Sequence, residues 1–235
     1  MRRLPGLKTL FVFTVFAVFF CFFTLPRIID HQVKMSVAGE WKVPLDTGDR
    51  MHWKSAVIRD KGAFLAYRTA YKHMGEHLHT GVDIQSSTIS KPAELVYAAA
   101  KGKVCDVKIQ GAGTRVTIVH LLFNGEVVYS SYIHMTDVRV RPGMRVNAST
   151  IIGRTLNRLE LEKYGAYYDH LHFQLHRKVF NPSDTISLKT QEKVLQKFYD
   201  PEIFFENYPK EGNLDWRQWL FERKISPREF FRLVF

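Results

Sequence analysis

The sequence predicts a mainly β domain with small helices at its C-terminal end and a membrane-inserting helix in front. Three observations predict this. Short apolar runs punctuated by glycine and proline turns fill residues 80 to 176, an uncharged run at 10–25 follows a basic start, and helical spacing appears only after the last strand-like run.

Leu10 to Leu25 carry no charge and follow Arg2, Arg3 and Lys8, the layout of a signal peptide or signal anchor. The run is shorter than the ~20 residues of a full span, but Pro5 to Leu7 and Ile28 to Ile29 extend it. No small-x-small cleavage site follows closely. That favours an uncleaved, single-pass anchor, with the basic end cytoplasmic and the body extracytoplasmic, over a cleaved signal. Val18-Phe19-Phe20 ahead of Cys21 lacks the small residue a lipid-attachment site requires. Residues 30–60, with Trp41 and Trp53 among polar neighbours, show no clear period and read as a linker.

The β body follows. Val82 to Ile84, Glu94 to Ala98, Gly102 to Ile109, Thr114 to Val119 and Glu126 to Ile133 are strand-like, and Lys101-Gly102, Gly111-Ala-Gly113, Asn124-Gly125 and Pro142-Gly143 separate them. Asn124-Gly125 joins its two runs as a hairpin turn does. The last strand, Asp169-His170-Leu171-His172-Phe173-Gln174-Leu175, turns both imidazoles to one face and Leu171, Phe173 and Leu175 to the other. Beyond it Val194, Leu195 and Phe198 recur at helical spacing, and Asp200-Pro201-Glu202 opens a short helix with an N-cap and a first-turn proline. The end, residues 213–235, mixes Trp216, Trp219, Phe230, Phe231 and Phe235 with arginines, and Ser226-Pro-Arg-Glu229 matches a capping box. This segment suits docking on the domain, a membrane surface or a protein partner. The division is therefore 1–29 cytoplasmic start and anchor, 30–60 linker, 61–186 β domain and 187–235 basic helical extension.

With 235 residues, one sizeable domain fits. Two cysteines, one of them inside the apolar run, leave Cys105 alone in the exported part, so its stability comes from packing rather than a disulfide. A net charge of +11 suits anionic cell-wall polymers or lipid headgroups. Nucleic acid fits an exported chain poorly.

His-x-His alone is a weak metal signal. Ahead of it lies His79-Thr-Gly-Val-Asp83, which enters a strand through a glycine. His79, Asp83 and one of the two strand histidines make the three protein ligands of a catalytic zinc site. Tyr132-Ile133-His134 ends the strand after the Asn124-Gly125 turn, and alternation places His134 on the face of Val128, Ser130 and Tyr132. His73-Met-Gly-Glu-His77 spells an inverted zinc-peptidase motif, but that motif needs a helix, and Gly75 opposes one. His176 reads as a groove residue, and His31, His52 and His120 read as ordinary surface or core histidines.

These residues resemble the lysostaphin/LytM-type zinc endopeptidases of bacterial cell walls. Five motifs carry the likeness in order: His79-Thr-Gly-Val-Asp-Ile84, Val96 to Val104, Tyr132-Ile-His-Met135, Val140-Arg-Pro-Gly-Met-Arg-Val146 with Ile152-Gly153, and His170-Leu-His-Phe173. The resemblance implies an open antiparallel β-sheet groove in which His79, Asp83 and His172 bind one zinc ion. It also implies that His134 and His170 flank the metal as general base and transition-state stabiliser, in an order left open, and that peptidoglycan is the substrate. Thr155 to Asp169 departs from the family, being longer, bulkier and charged where relatives carry a glycine-rich stretch. A non-hydrolytic regulator that binds cell wall and activates another hydrolase is the alternative reading.

Overall fold

The computed structural model describes residues 17, 20–69, 75–85, 93–165, 168–178, 188–208, 215, 217 and 226–235. Two compact units are present, Val37–Gly212 and a smaller one drawn from Met1–Ser36 and Asn213–Phe235. The larger unit carries β1 (Val57–Ile58), β2 (Tyr67–Arg68), β3 (His77–Leu78), β4 (Val82–Gln85), β5 (Leu95–Tyr97), β6 (Gly102–Lys108), β7 (Arg115–Leu121), β8 (Val127–Ile133), β9 (Met135–Thr136), β10 (Arg145–Val146), β11 (Ile151–Thr155), β12 (Leu171–His176) and β13 (Phe198–Tyr199). Its main sheet is eight-stranded and antiparallel, ordered β1-β4-β12-β8-β7-β6-β10, with β13 continuing along β12. A three-stranded sheet, β5-β11-β9, and the pair β2-β3 complete it.

Strand alternation explains the core. Leu171, Phe173 and Leu175 are fully buried with Val82, Ile84, Val116, Ile118, Val128 and Tyr132, each large apolar side chain contributing ~2 kcal/mol of burial. The opposite face of the same strands carries polar groups. There His172 lies directly across from Asp83 on β4 and Ile133 on β8. The predicted hairpin forms between β7 and β8, with Leu122 N donating to Glu126 O at 2.9 Å and Gly125 N to Leu122 O at 3.0 Å.

Part of the segment expected as a linker enters the core. Trp41, Val43, Leu45 and Trp53 are buried, and Phe204 and Phe205 cover the two tryptophans with ring centroids 4.9 Å away in each case. In the helices, numbered along the chain, α1 is Leu25–Ser36, α2 Arg158–Tyr164, α3 Gln191–Lys197, α4 Pro201–Asn207 and α5 Pro227–Val234. Helix α4 starts as its sequence predicts, the Asp200 carboxylate accepting from Glu202 N and Ile203 N. The divergent stretch before His170 folds into α2, capped by Asn157 and Glu160 in a reciprocal box and closed at Gly165. Arg154 fastens it by pairing with both Glu160 and Asp137.

In the smaller unit α1 and α5 pack together, burying Ile29, Val33 and Val234, and Arg217 pairs with both oxygens of Asp30 at 3.2 and 3.3 Å. Among the described residues no helix is long and apolar enough to cross a membrane. Most of the apolar run at 10–25, on which the anchor expectation rests, lies outside the described residues.

Candidate metal and catalytic site

His79, Asp83 and His172 converge. His79 precedes β4 and is clamped by its backbone, with His79 N donating to Ala66 O at 2.8 Å and Leu65 N to His79 O at 2.9 Å. Its Nδ1 lies 2.9 Å from Ala63 O; a carbonyl only accepts, so Nδ1 carries the proton and Nε2 the lone pair. That Nε2 is 2.9 Å from His172 Nδ1 and 3.1 Å from Asp83 Oδ1, and His172 Nδ1 is 2.8 Å from the same oxygen. Gly81 permits this crossing of β4 and β12, since a β-carbon there would collide with the Phe173 carbonyl oxygen and stand 3.1 Å from His172 Nε2.

Two imidazole nitrogens and one carboxylate oxygen thus face one point, with at most one proton among them. Three lone-pair donors so arranged fit a cation. The spacings of 2.8–3.1 Å approach the ~3.3 Å that tetrahedral zinc ligands at ~2.0–2.1 Å require. Arg68 on β2 holds the other Asp83 oxygen, Nη2 to Oδ2 at 2.5 Å, leaving Oδ1 for the cluster. Burial alone would raise the Asp83 carboxyl. The hydrogen bonds with His172 and His79 outweigh it and hold the group below the ordinary carboxylate range. Burial pushes His172 down to about 4 against the opposing pull of Asp83, which keeps it neutral, the form that ligates.

His134 and His170 stand beside this cluster. The His134 ring centroid is 5.0 Å from that of His170, 6.1 Å from that of His172 and 4.7 Å from the Tyr168 ring. His134 Nδ1 lies 2.7 Å from Ala112 O, so Nδ1 carries the proton and Nε2 is the acceptor. Burial, reinforced by His170 and His172, pushes His134 down to about 3, so it is neutral at neutral pH. His170 Nε2 is 3.4 Å from Asp83 Oδ1.

His134 does not follow the strand alternation expected of it. Val128, Ser130 and Tyr132 point into the core, so an unbroken strand would bury His134 with them. Instead β8 stops at Ile133 and His134 adopts φ +67°, a left-handed conformation that costs a non-glycine residue ~1–2 kcal/mol and brings the ring back to the site face. His176 also differs from its reading as a groove residue. It is buried, its ring 4.8 Å from that of Phe198 on β13. His77 lies on the short strand β3 rather than a helix, and His73 falls outside the described residues. His52 is exposed and paired with Asp49, His31 is exposed, and His120 is wholly buried. Arg59 and Arg68 touch the site without any sequence signal, because each reaches it from another segment, whereas Tyr168 lies in the divergent stretch that runs into His170.

No curated protein sequence matches the chain. Similar solved structures include LytU, 23% identical over 66% of this chain and 88% of that one with a TM-score of 0.41. CbpA from L. salivarius REN is 16% identical over 72% of this chain and 96% of that one, with a TM-score of 0.48. The antimicrobial peptidase lysostaphin from Staphylococcus simulans is 20% identical over 72% of this chain with a TM-score of 0.46, and this chain spans only 55% of it. Residues 77–185 match the model of peptidase family M23, and that stretch, which includes His79, Asp83, His134, His170 and His172, supports a peptidase of the lysostaphin/LytM type.

Proposed function

We propose that the protein is a membrane-anchored zinc endopeptidase that hydrolyses peptide bonds in the stem or cross-bridge peptides of peptidoglycan on the extracytoplasmic side. The observation that carries this reading is the convergence of His79 Nε2, Asp83 Oδ1 and His172 Nδ1 within 3.1 Å of one another beside two further histidines. These three residues would hold one zinc ion, which supplies a Lewis acid able to polarise a carbonyl and to acidify water. His134, with Nδ1–H committed to Ala112 O, offers Nε2 to receive a proton from the attacking water and to pass it to the leaving amine. His170 flanks the same space.

Support for the remaining parts is of other kinds. The anchor and the extracytoplasmic location rest on the uncharged run at 10–25 behind Arg2, Arg3 and Lys8, and the net charge of +11 suits an anionic sugar-peptide polymer. The basic, aromatic segment 213–235 would add contact with a lipid surface or a protein partner.

The test is incubation of the full chain in detergent micelles with purified sacculi, with and without a chelator, followed by mass spectrometry of released fragments. Chelator-sensitive release of cleaved peptides is expected. The variant His134→Ala should keep one zinc per chain and lose ~10²–10⁴-fold in rate. Intact peptides at full zinc occupancy would refute the enzyme and leave the regulator.

A further inference from the structure

Arg59 lies outside every motif of the site and outside residues 77–185, yet its side chain enters the site. The backbone brings it there. Arg59 N donates to Asp83 O at 2.9 Å, Gly62 N donates to Arg59 O at 2.7 Å, and Asp83 N donates to Gly62 O at 2.9 Å. The turn 59–62 is thus tied at both ends to the residue that would ligate the metal. Glycine is required at 62, where a β-carbon would stand 2.8 Å from Arg59 O and 2.9 Å from Asp83 Cβ.

From this position Arg59 Nη1 donates to Asp169 Oδ1 at 2.5 Å and lies 2.9 Å from His170 Nδ1. A guanidinium has donors and no acceptor, so His170 Nδ1 must meet it with a lone pair. The competing arrangement, Nδ1–H donated to Asp169, is too long at 3.7 Å. In a neutral His170 the proton therefore sits on Nε2, the nitrogen 3.4 Å from Asp83 Oδ1. At His134 the Ala112 carbonyl enforces the opposite choice. Two histidines whose rings lie 5.0 Å apart present unlike groups, a lone pair from His134 and an N–H from His170.

We propose that Arg59, held by Asp169, is a positioning residue that fixes His170 as its Nε2–H tautomer, making His170 the hydrogen-bond donor of the site and leaving proton acceptance to His134. The catalytic half of this statement rests on the peptidase reading above; the tautomer does not. An N–H aimed beside the ligand oxygen is suited to negative charge developing on a carbonyl under attack. It is useless as a base.

The experiment is long-range proton–nitrogen NMR of the imidazoles in the zinc-loaded, ¹⁵N-labelled full chain in micelles, with His170 assigned by its disappearance in His170→Gln. The wild type should show His170 protonated at Nε2 and bare at Nδ1. Arg59→Met and Asp169→Asn should shift His170 toward mixed tautomers at unchanged zinc content. Arg59→Met should also lower kcat on sacculi by ~10–100-fold with KM little changed, and Arg59→Lys, which keeps a donor, should restore part of both. A wild-type His170 protonated at Nδ1, or a tautomer indifferent to both substitutions, overturns the proposal. Absence of hydrolysis in the wild type would defeat the peptidase reading alone, because the nitrogen signals still decide what Arg59 does to His170.

Discussion

His120 on β7 and His172 on β12 are both imidazoles within the main sheet, and burial pushes each down to about 4. Their surroundings dispose of protons in opposite ways. Along the hydrogen-bond chain that starts at His120 every atom has a partner. Nδ1 is 2.8 Å from Lys101 O, Nε2 is 2.7 Å from Ser130 Oγ, Ser130 Oγ is 2.9 Å from Tyr132 Oη, and that phenol accepts from Ala99 N at 2.7 Å. With His120 neutral and protonated on Nδ1, its Nε2 meets the Ser130 hydroxyl, and the chain runs on through Tyr132 to Ala99 N with a partner at each step. Around His172 acceptors outnumber protons: His79 Nε2, Asp83 Oδ1 and His172 Nδ1 meet with at most one hydrogen to share. Burial and a lowered pKa do not tell a structural histidine from a ligand. Closure of the hydrogen-bond chain does.

The sharpest way to break this contrast is to remove one imidazole from each place. His79→Ala and His172→Ala are expected to lose zinc affinity and peptidase rate by well over ~100-fold, more than loss of an outer partner costs. His120→Ala should keep one zinc per chain while losing ~3 kcal/mol of stability through a cavity and unpaired groups. Metal analysis and denaturant unfolding read the two outcomes, and zinc loss in His120→Ala would erase the distinction. A finer probe is Arg68→Met, which strips Asp83 Oδ2 of its 2.5 Å partner. Zinc affinity measured against a competing chelator should fall ~10–100-fold with the fold intact.

The remaining effect is in pH. His120 titrates near 6.5 when unfolded and near 4 when folded. Between those values the unfolded chain binds a proton that the folded one refuses, so stability rises with pH in that window. The contribution is complete above about 6.5, is lost as pH falls toward about 4, and is flat below, with a limiting slope on the order of 1.4 kcal/mol per pH unit. His120→Gln should flatten that part of the acid limb. Unfolding curves from pH 4 to 8 that remain parallel for wild type and variant would show that His120 does not titrate as its burial implies.

Much of the site is legible in the sequence because its geometry is local. His79 and Asp83 are separated by a short turn into β4, and the alternation Leu171-His172-Phe173 fixes which side of β12 is polar. The lysostaphin/LytM likeness and the antiparallel sheet follow from the same local order. The rest depends on where distant segments meet. Trp41 and Trp53 belong to the core because Phe204 and Phe205 fold back on them, and Arg59 and Arg68 reach Asp169, His170 and Asp83 only through tertiary contacts. Helix α2 was within reach, since Asn157-Arg-Leu-Glu160 has capping-box spacing, a local signal. The face of His134 was not, because a left-handed backbone breaks the rule that alternation relies on.

That bend at His134 bears on how the chain finds its pairing. Shifting β8 by one residue against β12 would exchange Ile133 and Tyr132 between faces, sending a phenol toward the metal donors and tearing its hydroxyl from Ala99 N and Ser130. The histidine beyond the bend would then be carried off the site together with them. An alignment slipped by one residue cannot both bury Tyr132 and return His134 to the side of the histidine cluster. A chain that binds zinc and hydrolyses has therefore reported its own strand register.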